Sequence, residues 1–192
     1  MQPSAPALVA VGRVMGQKRD ALVEQWTRWV LTRVGTDPDS KHPEVERQLA
    51  LLVDIMIQTA GPLRRQVAEL WYAACEFHGR ASAARGLAAG EVVEELQHLR
   101  ELLIRHLSEV TAALPARQYL ATVLRLNRIL DKGIAHAVVG YTDALIETLF
   151  TQNGVPVSAG HTTTEELLDE RLRQFEAELE HIREKTGEHD RA

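Results

Sequence analysis

The chain has 192 residues, 45% hydrophobic, 26% charged and only 5% aromatic, with 22 Lys+Arg against 27 Asp+Glu for a net charge of -5. Such a balance suits one soluble domain with one aliphatic core. It argues against a nucleic-acid binder, which would need excess positive charge for phosphates or aromatics for bases. No apolar run approaches the ~18 residues of a membrane span, since Arg13, Lys18, Arg19 and Asp20 interrupt the candidate near the start. The opening lacks a basic leader, and the single Cys75 can form neither an internal disulfide nor a thiolate cage. A cytoplasmic protein with no membrane or nucleic-acid partner is the expectation.

Turn-forming residues cluster at 35–43, 61–62, 86–90, 114–115 and 153–164, and everything between them reads as helix. From about Leu8 to Val34, the residues Met15, Leu22, Val23, Trp26, Trp29 and Val30 recur at helical steps, predicting one helix. Pro43 suits a first turn, where its missing N–H costs nothing, and Val45, Leu49, Leu52, Val53 and Met56 continue that helix to about Ala60. The third helix runs from Pro62 to about Arg85 and carries Val67, Leu70, Trp71, Ala74 and Cys75, the thiol reading as a small buried hydrophobe. In the fourth, about Glu91 to Ala113, the residues Val92, Leu96, Leu99, Leu103, His106 and Val110 make a coiled-coil-like seam, with Glu91, Glu94 and Glu95 at the positive end of the helix dipole.

The fifth helix can run unbroken from Pro115 to about Gln152, ~55 Å at ~1.5 Å per residue. That exceeds a small domain, so it should kink at Gly133 or Gly140 or project from the body. Its stripe of Gly133, Ala137, Gly140 and Ala144 is small throughout. Glycines inside a helix cost ~1 kcal/mol each, and a close helix approach would compensate. An opposing stripe, Leu120, Leu124, Asn127, Asp131, Ile134, Val138, Tyr141 and Leu145, carries a polar step. There Asn127 either fixes register in a helix dimer or, with Asp131, simply faces water. Asn127, Gly133, Ala137, Gly140 and Ala144 are the expected homodimer contacts.

Residues 153–162 read as a linker between a helical body, 1–152, and an acidic amphipathic helix, 163–192, whose Thr163 and Glu166 match a capping box. Leu168, Leu172, Phe175, Leu179 and Ile182 form its narrow apolar seam. This tail holds ten acidic and five basic residues, so it owns the whole charge imbalance. It packs either on its own domain or on a partner helix. The fold class expected is therefore all-α: five main helices with globin-like or up-down crossings, plus a C-terminal amphipathic helix.

Phosphate-loop, dinucleotide, nucleophile-elbow, HExxH and CxxC motifs are all absent, which removes the commonest enzymatic readings. No cofactor is expected. The alternative is an iron- or haem-binding sensor, because Glu95-x-x-His98 and Glu178-x-x-His181 match the spacing used in di-iron bundles. His106, on the fourth helix's seam, is the candidate haem ligand. For His106 a core or interface histidine with a satisfied ring nitrogen is the plainer expectation.

The segment Trp71 to Arg100 (WYAACEFHGRASAARGLAAGEVVEELQHLR) resembles the helical N-terminal domain of RsbRD-type RsbT co-antagonists, a family also found in front of bacterial sensor histidine kinases. Leu126 to Leu145 (LNRILDKGIAHAVVGYTDAL) is similar to that family's closing helix, so the resemblance spans about Val14 to Thr148. It implies a non-enzymatic regulatory input module acting through helix packing, dimerisation and binding of a kinase, phosphatase or anti-sigma-type regulator. Glu76, His78, Arg80, Arg85, Glu94, Glu95 and Arg100 carry the match. Pairing of Arg80 or Arg85 with Glu94 or Glu95 would lock the corner between the third and fourth helices, and a ligand-binding role there is the alternative. Only the acidic heptad helix follows residue 150, where the family has a sulfate-transporter-like domain or the phosphoacceptor helix of a kinase.

Overall fold

Ser4 opens the first helix by accepting the Ala7 N–H at 3.4 Å, with a proline in the first turn. The computed structural model describes residues 3–33, 42–60, 64–152 and 164–189. Among them are seven helices and no strand: α1 (Ala5–Gln17), α2 (Arg19–Arg33), α3 (Pro43–Ala60), α4 (Arg64–Ala84), α5 (Ala89–Ala112), α6 (Ala116–Gln152) and α7 (Thr164–His189). The all-α expectation holds. The first expected helix, however, is two. At Lys18 the backbone turns to φ -100°, ψ 4°, its N–H still reaching back to Val14 and Met15 while its carbonyl starts α2 through Leu22. The break lets Val11 and Met15 on α1 and Leu22, Trp26 and Val30 on α2 all reach the core. The capping box at Thr163 lies outside the described residues.

Two fully buried tryptophans anchor that core, and each indole N–H is satisfied. Trp26 donates to the Glu95 carbonyl at 2.9 Å and Trp71 to the Ile129 carbonyl at 3.0 Å. On α5 the buried face runs Val92, Leu96, Leu99, Leu103, Leu107 and Thr111, leaving the expected seam after Leu103. A straight helix of 3.6 residues per turn drifts off a seven-residue repeat, so Leu107 displaces His106 from the core.

The closest packing joins α4 to α6. A Cβ added to Gly79 would sit 1.8 Å from the Ala137 carbonyl oxygen, and one added to Gly140 would sit 1.9 Å from that of Glu76. The two backbones therefore touch, which offsets the helical cost of the glycines. Of the two outcomes expected, a kink or a projection, the burial pattern shows the second: α6 runs unbroken for 37 residues through Gly133 and Gly140, and its final turns are exposed. Tyr141 donates its hydroxyl to the Leu87 carbonyl at 2.9 Å, fastening α6 to the turn between α4 and α5.

Candidate functional site

The inward face of α4 begins apolar, with Val67, Trp71 and Cys75, and continues at the same helical spacing with His78 and Ser82, with the half-buried Arg85 following just past the last residue of the helix. Two polar side chains thus enter the core by periodicity. Directly after them α4 ends in a reciprocal backbone cap, Gly86 N–H to Ala83 at 3.0 Å and Leu87 N–H to Ser82 at 3.1 Å. Gly86 takes φ +79°, a conformation that suits glycine. The chain reverses there, and Glu91 accepts the Ala88 N–H at 2.7 Å to start α5. One turn further on, Glu95 points back under α4.

His78 and Glu95 are sealed, at 0% and 1% exposure, and His78 Nε2 lies 2.9 Å from Glu95 Oε2. The contact is an ion-pair approach off the line of a good hydrogen bond. Ser82 donates to the same carboxylate oxygen at 3.2 Å, and Arg85 donates to Ser82 at 2.7 Å and stands 3.7 Å from Glu95. From α3, Gln48 accepts from Arg85 at 2.9 Å through its carbonyl, which turns its amide nitrogen to His78 Nδ1 at 3.4 Å. In the neutral ring this makes Nδ1 the acceptor and leaves the proton on Nε2, facing Glu95. Burial by itself would push the Glu95 carboxyl up, but His78, Arg85 and the Ser82 hydroxyl together hold it below its ordinary value. Burial pushes the Arg85 guanidinium down, with Glu95 opposing. Glu95 Oε1 and Arg85 Nε have no hydrogen-bond partner among the described residues. The polar atoms of this carboxylate–guanidinium–imidazole cluster are spent largely on one another, while Gln48 and Arg85 also line a groove beside α7. What the cluster does is fix how α3, α4 and α5 meet, since shifting any one would strand a buried charge.

Of the residues that carry the resemblance, His78, Arg85 and Glu95 converge here. Arg80 turns instead to α6, donating to Glu147 at 2.8 Å and Asp143 at 3.0 Å. Glu94 pairs with Arg33 of α2, and Arg100 with Asp131 of α6. Glu76 is half-buried, and its backbone carbonyl meets Gly140. Arg85 and Glu95 thus face each other across the corner at 3.7 Å, and the other charges fan out to neighbouring helices. Gln48 and Ser82 were not singled out by sequence. For Ser82 the signal is there, since it falls four residues after His78 and three before Arg85 on a buried face.

The family model described as the RsbT co-antagonist protein rsbRD N-terminal domain matches residues 20–154. The chain belongs to this family. No curated protein and no solved structure matches it. In this RsbRD-type domain every member of the buried cluster falls inside the matched span, whereas α1 and α7 lie wholly or mostly outside it. The family is regulatory, and no described helix is long and apolar enough to cross a membrane.

The small stripe of the RsbRD-type domain is spent within the chain. Gly133 packs on the Trp71 ring and the Cys75 sulfur, Ala137 and Gly140 meet α4, and Ala144 is half-buried beyond them. The close approach expected of the glycines is therefore an intramolecular one. Asn127 lies half-buried in an apolar groove between α5 and α6, and Asp131 is exposed. Burial pushes the Cys75 thiol well up. The residues weighed as metal or haem ligands are dispersed. Glu95 faces His78, His98 stacks on Trp29 with ring centroids 4.6 Å apart, and Glu178 and His181 are exposed on α7. His106 is half-buried, its Nε2 3.4 Å from Gln25. Among the described residues no group of three or more His, Cys, Asp and Glu side chains converges as a metal site.

Proposed function

We propose that this chain is a cytoplasmic, non-enzymatic input module of stress or two-component signalling. It works by shifting helix packing and by binding a second copy of itself and a kinase, phosphatase or anti-sigma-type regulator. The single observation that carries this reading is the α4–α6 backbone contact. α4 bears His78 and Ser82 and leads directly into Arg85, while α6 runs 37 residues and projects past the body. Backbones touching at Gly79–Ala137 and Glu76–Gly140 cannot slide independently, so a rearrangement of the buried cluster moves the projecting end of α6. That end carries the exposed Leu145, Ile146, Leu149 and Phe150, and the start of α6 carries exposed Leu120 and Leu124, apolar side chains suited to a second copy. Light scattering at micromolar concentration tests the pairing: a dimer that dissociates when Ile146 and Phe150 become Glu supports it, and a strict monomer overturns it. A robust turnover abolished by changing one titratable side chain would overturn the absence of catalysis.

A further inference from the structure

The helix beyond the family-matched region is seated on a surface made for it. Among the described residues α7 lies against α3 and α4, running in the sense of α3, and buries Leu172, Phe175 and Leu179. Arg47 of α3 holds Glu176 with two hydrogen bonds at 2.8 and 2.7 Å and also pairs with Asp169 one heptad earlier. Phe175 meets Phe77 of α4 edge to face at 5.7 Å, and Arg183 stands 4.0 Å from Asp54 at the far end. The receptor thus reads two acids a heptad apart, around apolar residues at the third, sixth and tenth positions after the first acid, while Asp54 is held by Arg19 at 2.7 and 2.8 Å and meets Arg183 at longer range. Beside Leu168 and Leu172 of α7 a groove of about 630 Å³ opens toward Arg47, Gln48, Phe77 and Arg85. Two of its lining residues, Gln48 and Arg85, belong to the buried cluster.

From this geometry we infer that the α3–α4 face centred on Arg47 and Phe77 is a docking surface for an acidic amphipathic helix of a partner protein, and that α7 is its occupant in cis. The inference rests on the reading of this chain as a protein-binding module and names the chemistry of one partner. A partner helix with two acids a heptad apart flanking an aromatic meets the same arginine and the same phenylalanine. Its arrival releases α7 and brings new contacts onto the groove walls at Gln48 and Arg85, next to His78 and Glu95. Charge complementarity selects the class: Arg47 accepts carboxylates and rejects a basic helix.

A fluorescent peptide of residues 164–189 stands in for the partner and is titrated into the full chain. The wild type, with its own α7 seated, should bind at least tenfold more weakly than the full-length variant Phe175→Ala/Leu179→Ala. Adding Arg47→Glu to that variant should cost at least tenfold in affinity, and a peptide carrying Asp169→Lys and Glu176→Lys should restore it. Hydrogen exchange on the same samples reports whether α7 is released and whether the rest of the bundle stays folded. Equal peptide affinity for wild type and released variant, indifference to Arg47→Glu, or an α7 still protected in the double variant would each overturn the inference. Wild-type dimers dissolved by the peptide would assign the occupant to a second copy and overturn the partner assignment. A monomer that captures the peptide leaves this inference standing while sinking self-association, and a dimer that ignores the peptide does the reverse.

Discussion

Replacing Glu95 with Gln leaves the shape of the cluster intact and removes the one charge that His78 and Arg85 share. Breaking a buried pair from one side costs about 3 kcal/mol or more, because the partner keeps its desolvation cost without compensation. Glu95→Gln should lower the urea-unfolding free energy by about that amount at pH 7. The loss should also depend on pH in a known direction. Glu95 binds a proton less readily in the fold than in the unfolded chain, where its value is near 4.5. Its stabilisation is complete above that value and drains away as pH falls through the lower folded one. The gap between wild type and Glu95→Gln should therefore narrow in acid, and a gap constant from pH 7 to pH 3 would show that the carboxylate is not held by its neighbours. Half of this site was legible in the sequence. His78, Arg85 and Glu95 stood out through the family resemblance, and the α4 periodicity that carries Val67, Trp71 and Cys75 inward continues to His78, Ser82 and Arg85. Gln48 was hidden, since one amide among the apolar residues of α3 gives no sign of which partner it meets across the bundle.

At the scale of helices, the glycines divide by what surrounds them. Gly79→Ala and Gly140→Ala force a methyl onto a backbone carbonyl of the crossing helix. Backbone cannot rotate away, so each should cost about 3 kcal/mol, outweighing the ~1 kcal/mol that alanine gains in a helix. Gly16→Ala, with nothing within 4 Å of the new methyl, should gain about 0.5 kcal/mol. Urea midpoints of the three variants check both signs. Equal effects at Gly16 and Gly140 would mean that α4 and α6 do not touch. Gly133 and Gly140 were legible as a demand for close approach, but the sequence carries no label for whether the approaching helix is a neighbour in the same chain or in another. The break at Lys18 was illegible for a different reason. Gly16-Gln17-Lys18 contains no proline, and Met15 to Leu22 is still a seven-residue helical step across the polar Lys18-Arg19-Asp20, so only packing of both segments on one core imposes the turn. His106 was misplaced by one residue because a seven-residue count was extended past where a straight helix keeps it.

Across the whole molecule the stability is unevenly spread, and α7 sits at the weak end. The body of the fold is knit by touching backbones, two buried tryptophans and a sealed charge cluster, whereas α7 rests on three buried side chains and an exposed ion-pair set around Arg47. Arg47 holds Glu176 below its ordinary value, and at Asp169 it adds to the larger lowering by Arg173 of α7 itself, so through the Arg47 contacts the docked helix binds protons less readily than the undocked one. Docking is therefore strongest above the ordinary carboxylate range and weakens as pH falls through the lowered values. Salt acts in the same direction, because these charges are solvent-exposed and screened over about 8 Å at physiological ionic strength. Amide exchange followed by mass spectrometry should show residues 167–185 losing protection in acid or high salt while α4 and α6 keep theirs. Protection lost together in α7 and α6 would mean that the tail is an integral layer of the bundle, because a helix held by exposed ion pairs and a narrow apolar seam must open before backbones in contact do.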